Sequence, residues 1–179
     1  MRIISGIHGG RRIHPPQNMP HTRPTTDIAK EGLFNILQNR IQLEGIKTLD
    51  LFGGTGCISY ELASRGAIEL TIVEKDNQML DFIKSNIDLL KIENAQVLRM
   101  DVFQFLMTCT NTYDIIFAGP PYALNTIDNL PKIIVERKLI APNGYFVLEH
   151  TPRNDYASFE GFSFQRNYGS TIFSFFECA

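Results

Sequence analysis

The chain has 179 residues, 44% of them hydrophobic and 20% charged, with a formal net charge of −2. This composition describes one domain, or one domain with a small appendage, able to bury a core, and it excludes a disordered chain. No apolar run reaches the length of a membrane span, and Met1 to Arg12 lacks the apolar core of a secretory signal, so a cytoplasmic protein is expected.

The first fourteen residues read as a hairpin: Arg2 to Ile7 is strand-like, His8-Gly9-Gly10 carries turn chemistry, and Arg11 to His14 is the return. Residues 1–40 hold six basic and two acidic residues, whereas 41–179 hold eleven and seventeen. A basic end on an acidic body attracts phosphate, although a solvated basic surface is the plainer reading of charge alone. Four prolines between Pro15 and Pro24 mark an irregular linker. Thr25-Thr26-Asp27 offers helix caps, and Ile28, Leu33, Phe34, Ile36 and Leu37 supply an apolar helical stripe.

Strands and helices then alternate. Strands are predicted at 46–51, 69–73, 95–99, 113–117 and 144–149, and helices at 58–65, 77–90, 102–107 and 127–138. Two aromatic-rich runs, 162–168 and 171–177, joined by Gly169-Ser170, close the chain as a hairpin with one antiparallel strand. The expected fold class is α/β, a mostly parallel sheet covered on both faces. The expected division is an N-terminal basic hairpin and linker (1–26) followed by the main domain (27–179). Cys57, Cys109 and Cys178 are an odd count without a CxxC pair, and His8, His14, His21 and His150 show no ligand spacing. Neither a disulfide framework nor a metal site is expected.

Four motifs can carry chemistry. Asp50-Leu51-Phe52-Gly53-Gly54-Thr55-Gly56 leaves a strand and opens a helix; its glycines allow a sharp turn and close approach of a ligand. It is neither a full GxGxxG fingerprint, since Ser59 stands in the last position, nor a Walker loop. Asp50 can accept hydrogen bonds from a cationic or amino-bearing ligand. Glu74, twenty residues after Gly54, ends the next strand, where a carboxylate can bind both hydroxyls of a ribose; the plainer alternative is a solvated charge or a helix cap. Asp101 can accept from an adenine amine or cap the helix that follows it, or both. Gly119-Pro120-Pro121-Tyr122 is a rigid turn at the carboxyl edge of the sheet, with a tyrosine face on which a base can stack.

Taken in order, these residues spell a family. Thr22-Arg23-Pro24-Thr25, Leu33-Phe34-Asn35-Ile36-Leu37, the Asp50–Gly56 loop, Ser64-Arg65-Gly66-Ala67, Val73-Glu74-Lys75-Asp76, Pro120-Pro121-Tyr122 and Tyr168-Gly169 span nearly the whole chain. The sequence resembles the RsmD-type S-adenosylmethionine-dependent methyltransferases, which methylate the exocyclic N2 amine of a guanine in bacterial 16S ribosomal RNA. The resemblance implies a Rossmann-like class I methyltransferase fold, with a seven-stranded, mostly parallel sheet whose last strand is antiparallel. It implies that Asp50 and the Gly53–Gly56 turn hold the methionine part of S-adenosylmethionine, with Phe52 and Thr55 beside them. Glu74, next to Lys75, would bind the ribose, and Asp101, next to Val102, the adenine amine. Gly119, Pro120, Pro121 and Tyr122 would form the target-base site, and Arg2, Arg11, Arg12 and Arg23 would contact RNA phosphates. The implied partner is 16S ribosomal RNA or the small ribosomal subunit, with the protein a monomer.

One position departs from the family. An Asp or Asn normally precedes Pro-Pro-Tyr, and here Gly119 stands there. The guanine N2 lone pair is delocalised into the ring, so an acceptor for its N–H is wanted. Losing such an acceptor costs on the order of 10² to 10⁴ in rate. Three accounts are open: an enzyme that uses the Pro120 carbonyl and another acceptor, an impaired variant, or a non-catalytic relative that still binds cofactor or RNA. An amino-methyltransferase of DNA or of protein is a further alternative on the same chemistry.

Overall fold

A computed structural model describes residues 1–19 and 24–178 of the chain. Seven strands, β1 (Lys47–Leu51), β2 (Glu69–Glu74), β3 (Ala95–Arg99), β4 (Tyr113–Ala118), β5 (Ile140–His150), β6 (Phe162–Tyr168) and β7 (Thr171–Phe176), form one sheet. Five helices accompany it: α1 (Asp27–Arg40), α2 (Cys57–Ser64), α3 (Asn77–Leu90), α4 (Val102–Thr108) and α5 (Asn129–Glu136). The strand order is β3-β2-β1-β4-β5-β7-β6. β7 alone runs antiparallel to its neighbours β5 and β6; the pairs among β1 to β5 are parallel. The alternating pattern and the closing aromatic hairpin predict this mostly parallel sheet with one antiparallel strand, and it is the class I methyltransferase arrangement that the resemblance implies.

The central strands are buried on both faces because helices cover both. Leu49, Leu51, Ile116, Ala118, Phe146 and Leu148 pack with α4 and α5. The alternate residues Ile115, Phe117, Tyr145, Val147, Phe173 and Phe175 pack with α1 and α2. That period of two sends Asp50, between Leu49 and Leu51, to the α2 side.

Some boundaries differ from the sequence reading. The fifth strand begins at Ile140 rather than 144, because Tyr113 pairs with Ile140 before a register shift brings Ile115 opposite Tyr145. The helix expected from 127 begins at Asn129, with Pro131 in its first turn, where a missing N–H costs nothing. In α1, Thr26 is the N-cap, accepting from the Ala29 N–H at 3.2 Å. Ile28 does not join the apolar stripe but is 78% exposed. The buried face instead includes Lys30, drawn inward by a carboxylate on α2.

The N-terminal hairpin forms, with one antiparallel bridge, Arg2 to Arg12, rather than two full strands. Ile3 and Ile13 bury against Tyr60, Ile72, Ile83 and Leu90. Glu61, fully buried in α2, anchors it: its carboxylate accepts from the Ile4 and Ser5 N–H groups at 2.8 and 3.0 Å and from Arg65 Nε at 2.9 Å. Lys30 Nζ lies 3.6 Å away. A buried carboxylate so fully compensated holds the hairpin against the body; removing a partner would leave an uncompensated charge. Among the described residues no helix is long and apolar enough to cross a membrane.

Candidate active site

The strand order reverses between β1 and β4, and an open α/β sheet forms its ligand crevice at the carboxyl ends of such strands. β1 delivers Asp50 and the loop after it, β2 delivers Glu74, the turn after β3 delivers Asp101, and β4 leads into Gly119–Tyr122. The structure therefore brings all four sequence motifs to one edge.

Asp50 is 2% exposed, and its Oδ2 accepts from Ser59 Oγ at 2.7 Å. Burial pushes its carboxyl up to about 7, the Ser59 hydroxyl opposes that rise, and the nearby Glu74 charge adds to it. A buried carboxylate with one hydroxyl partner is suited to a cation, which would favour its ionised form. The loop that follows turns through left-handed backbone at Phe52, Gly54 and Gly56, with φ of 62°, 57° and 80°. At Gly56 a Cβ would also meet the Tyr60 ring at 2.5 Å, so conformation and packing both require glycine. Around Gly54 an added Cβ would meet only Phe52 O, at 3.7 Å, so this face is open to a ligand.

Glu74 clamps that loop to β2. Its Oε2 accepts from the Gly54 N–H and its Oε1 from the Asp76 N–H, both at 2.9 Å. The capping role that competed for Glu74 falls to Asp76, which accepts from the Met79 N–H at 2.9 Å. Each Glu74 oxygen keeps a second acceptor site, which two hydroxyls can use. Asp101 does cap α4: Oδ1 accepts from the Phe103 and Gln104 N–H groups at 2.9 and 3.2 Å. Its Oδ2 makes no hydrogen bond among the described residues and is available to an amine. Lys75 is exposed and Val102 buried. An open glycine face, unused acceptor positions on Glu74 and Asp101, and a buried carboxyl at Asp50 form a set whose chemistry fits S-adenosylmethionine.

On the β4 side, Pro120 is buried, Pro121 exposed and Tyr122 half-buried. The Pro121 carbonyl accepts from the Leu124 N–H at 3.0 Å, which closes the turn. The Tyr122 hydroxyl donates to Glu149 Oε1 at 3.4 Å. Glu149 stands at the carboxyl end of β5, 5% exposed, and its Oε2 accepts from Thr25 Oγ1 at 2.6 Å. Burial pushes the Glu149 carboxyl above its ordinary range, opposed by the Thr25 and Tyr122 hydroxyls. The sequence reading assigned Glu149 no role and gave Thr25 only a capping one. The available signal was an acidic residue ending the apolar run Tyr145–Leu148 at the ligand edge.

Arg2, Arg11 and Arg12 are exposed on the hairpin, and Arg2 Nε lies 3.9 Å from Asp27 Oδ2. The Arg2–Arg12 bridge sits beside the start of α1, the segment that also carries Thr25 to Glu149. Arg23 lies outside the described residues. Surface clefts of about 470 and 360 Å³ lie away from these residues, one against α4 and α5 and one between the hairpin and the end of α1. Among the described residues no three His, Cys, Asp or Glu side chains are grouped to share a metal.

The family described as "Conserved hypothetical protein 95" matches residues 1–177. Ribosomal RNA small subunit methyltransferase D of Haemophilus influenzae is 33% identical over 153 residues, covering 83% of this chain and 78% of that protein. Among solved structures, a hypothetical protein of Thermus thermophilus, TTHA0928, superposes with a TM-score of 0.85 at 27% identity, covering 99% of each chain. The T. thermophilus 16S rRNA N2 G1207 methyltransferase RsmC, solved with AdoMet and guanosine, superposes at 0.68 over 91% of this chain and 45% of its own, with 23% identity. That likeness is one of fold.

Proposed function

The chain belongs to the "Conserved hypothetical protein 95" family, the RsmD-type methyltransferases, and on that premise we propose that it transfers a methyl group from S-adenosylmethionine to the exocyclic N2 amine of a guanine in 16S ribosomal RNA. The observation that carries this reading is the convergence of Asp50, the glycine loop, Glu74, Asp101 and Gly119–Tyr122 on one sheet edge. The likeness to the H. influenzae small-subunit methyltransferase supports the choice of ribosomal RNA. The protein acts in the cytoplasm, as a monomer, on naked RNA or the small subunit.

In this reading each residue has a physical task. Asp50 faces the positive charge of the methionine part, Glu74 accepts from the ribose hydroxyls, and Asp101 Oδ2 accepts from the adenine amine. Phe52, Thr55, Lys75 and Val102 stand next to these residues in the sequence and complete the cofactor-binding set. When bound, S-adenosylmethionine supplies an activated methyl on a sulfonium, already a good leaving group. The protein's contribution is then chiefly alignment of the amine with that methyl. Pro120 and Pro121 hold the turn rigid, and Tyr122 offers its ring to an extruded base. Arg2, Arg11, Arg12 and Arg23, in the first 26 residues, hold RNA phosphates.

The test is transfer of labelled methyl from S-adenosylmethionine to small ribosomal subunits that lack the modification, followed by mapping of the label. Label on the N2 amine of one guanine is expected. Label on DNA or on a protein instead, or none on any substrate while cofactor binds, would overturn the assignment.

A further inference from the structure

A guanine amine needs an acceptor to localise its lone pair, and residue 119 has no side chain to offer one. No backbone demand explains this glycine: Gly119 is not among the residues with positive φ. Its surroundings place a different acceptor beside that position. The parallel register pairs Ala118 with Leu148, so Gly119 and Glu149 are next in line at the carboxyl edge. A Cβ built at Gly119 would stand 3.6 Å from Glu149 Oε2. A group occupying the space that a residue-119 side chain would fill is thus within reach of that oxygen.

Resting on the reading above, we propose that Glu149 is a catalytic residue: its carboxylate, standing beside the bare backbone of Gly119, accepts an N–H of the target amine. The carboxylate is oriented for this from two distant parts of the chain. Thr25 Oγ1 donates to Oε2 at 2.6 Å and the Tyr122 hydroxyl to Oε1 at 3.4 Å. Each oxygen retains one further acceptor site. Burial has removed competing water, which strengthens a remaining hydrogen bond. In the step itself the amine lone pair forms the new N–C bond as the S–C bond breaks, its electron pair staying on sulfur. The surplus proton of the nitrogen passes to the Glu149 carboxylate and from there to water. Tyr122 belongs to the same unit, since it touches both the proposed base-stacking position and the carboxylate.

An aspartate at 119 has room, with one tight contact: its Cβ would lie 3.1 Å from Phe117 Cε1. It would also bring a second carboxylate against Glu149, and like charges so close oppose each other. The acceptor can therefore be moved from one residue to the other but is not improved by doubling. The experiment uses the full chain with saturating S-adenosylmethionine and unmodified small subunits, measuring single-turnover methylation, cofactor affinity and thermal midpoint for Glu149→Gln and for Glu149→Gln with Gly119→Asp.

Glu149→Gln is expected to slow methyl transfer about 10²-fold while cofactor affinity and thermal midpoint hold. Adding Gly119→Asp is expected to recover at least about tenfold of that loss. Full activity of Glu149→Gln, or a loss matched by equal losses of affinity or stability, overturns the proposal. So does a folded double variant with no recovery. If the unaltered chain binds cofactor but labels no ribosomal RNA, the functional reading falls first and takes this proposal with it.

Discussion

The two halves of the crevice are built differently. At the carboxyl ends of β1 and β2 the polar contacts named above join close segments: Ser59 to Asp50 across nine residues, Gly54 to Glu74 across twenty, Asp76 to Glu74 across two. On the β4–β5 side the contacts span the chain: Thr25 meets Glu149 across 124 residues and Tyr122 meets it across 27. The first half is a preformed cradle whose shape follows from one loop and one strand end. The second exists only once α1 has packed on the sheet and β5 has taken its place beside β4. Under the proposed function the difference separates two tasks, binding the cofactor and positioning an acceptor, onto parts of the molecule that can be damaged separately.

Gly56→Ala should give the largest effect and strike the cradle and the core behind it at Tyr60, leaving the Glu149 half untouched. It would force an alanine into φ of 80° and press its Cβ on the Tyr60 ring at 2.5 Å. Cofactor affinity, followed by calorimetry, is expected to fall about 10²-fold, since such strain costs on the order of 1–3 kcal/mol before the clash is counted. Unchanged affinity would mean that the glycine loop is not the cofactor cradle.

Asp50→Asn tests the same half through pH. The ordinary aspartate value is about 4, and burial raises this one to about 7. Between those values the folded chain holds a proton that the unfolded chain has released, so stability falls as pH rises through the window. Asparagine removes that linkage. The variant is expected to melt about 5 °C or more above the parent at pH 8, the gap closing toward pH 4. It should also bind the cationic cofactor about tenfold more weakly near neutral pH. A melting gap independent of pH would remove Asp50 as the titrating group.

Thr25→Ala should have the smallest effect and fall on the other half. It deletes the 2.6 Å hydrogen bond to Glu149 and leaves Thr26, the true N-cap of α1, in place. Methyl transfer is expected to slow about fivefold, the worth of one such bond, with cofactor affinity unchanged. A loss of affinity instead would show that the two halves are not separable.

Alternation of apolar runs was enough to place most strands and helices, because parallel strands buried on both faces and amphipathic helices carry different periods. The cradle was equally legible, since glycines after a strand and an acid at the end of the next are a local pattern. Asp101 was readable as a helix cap, which the structure shows directly, and as an adenine acceptor, which belongs to the proposed function. Ile28 misled, because helix periodicity does not reveal that Lys30 is pulled inward by Glu61.

By itself, then, the sequence determined the α/β order, the family and the cofactor-side motifs, each read from short local patterns that recur along the chain. Only the tertiary structure decided that Glu61 anchors the hairpin, that Thr25 reaches Glu149, and that a buried carboxylate stands beside Gly119. Those facts come from register and packing between segments distant in the chain, and no local spacing encodes which side chains such packing will bring face to face.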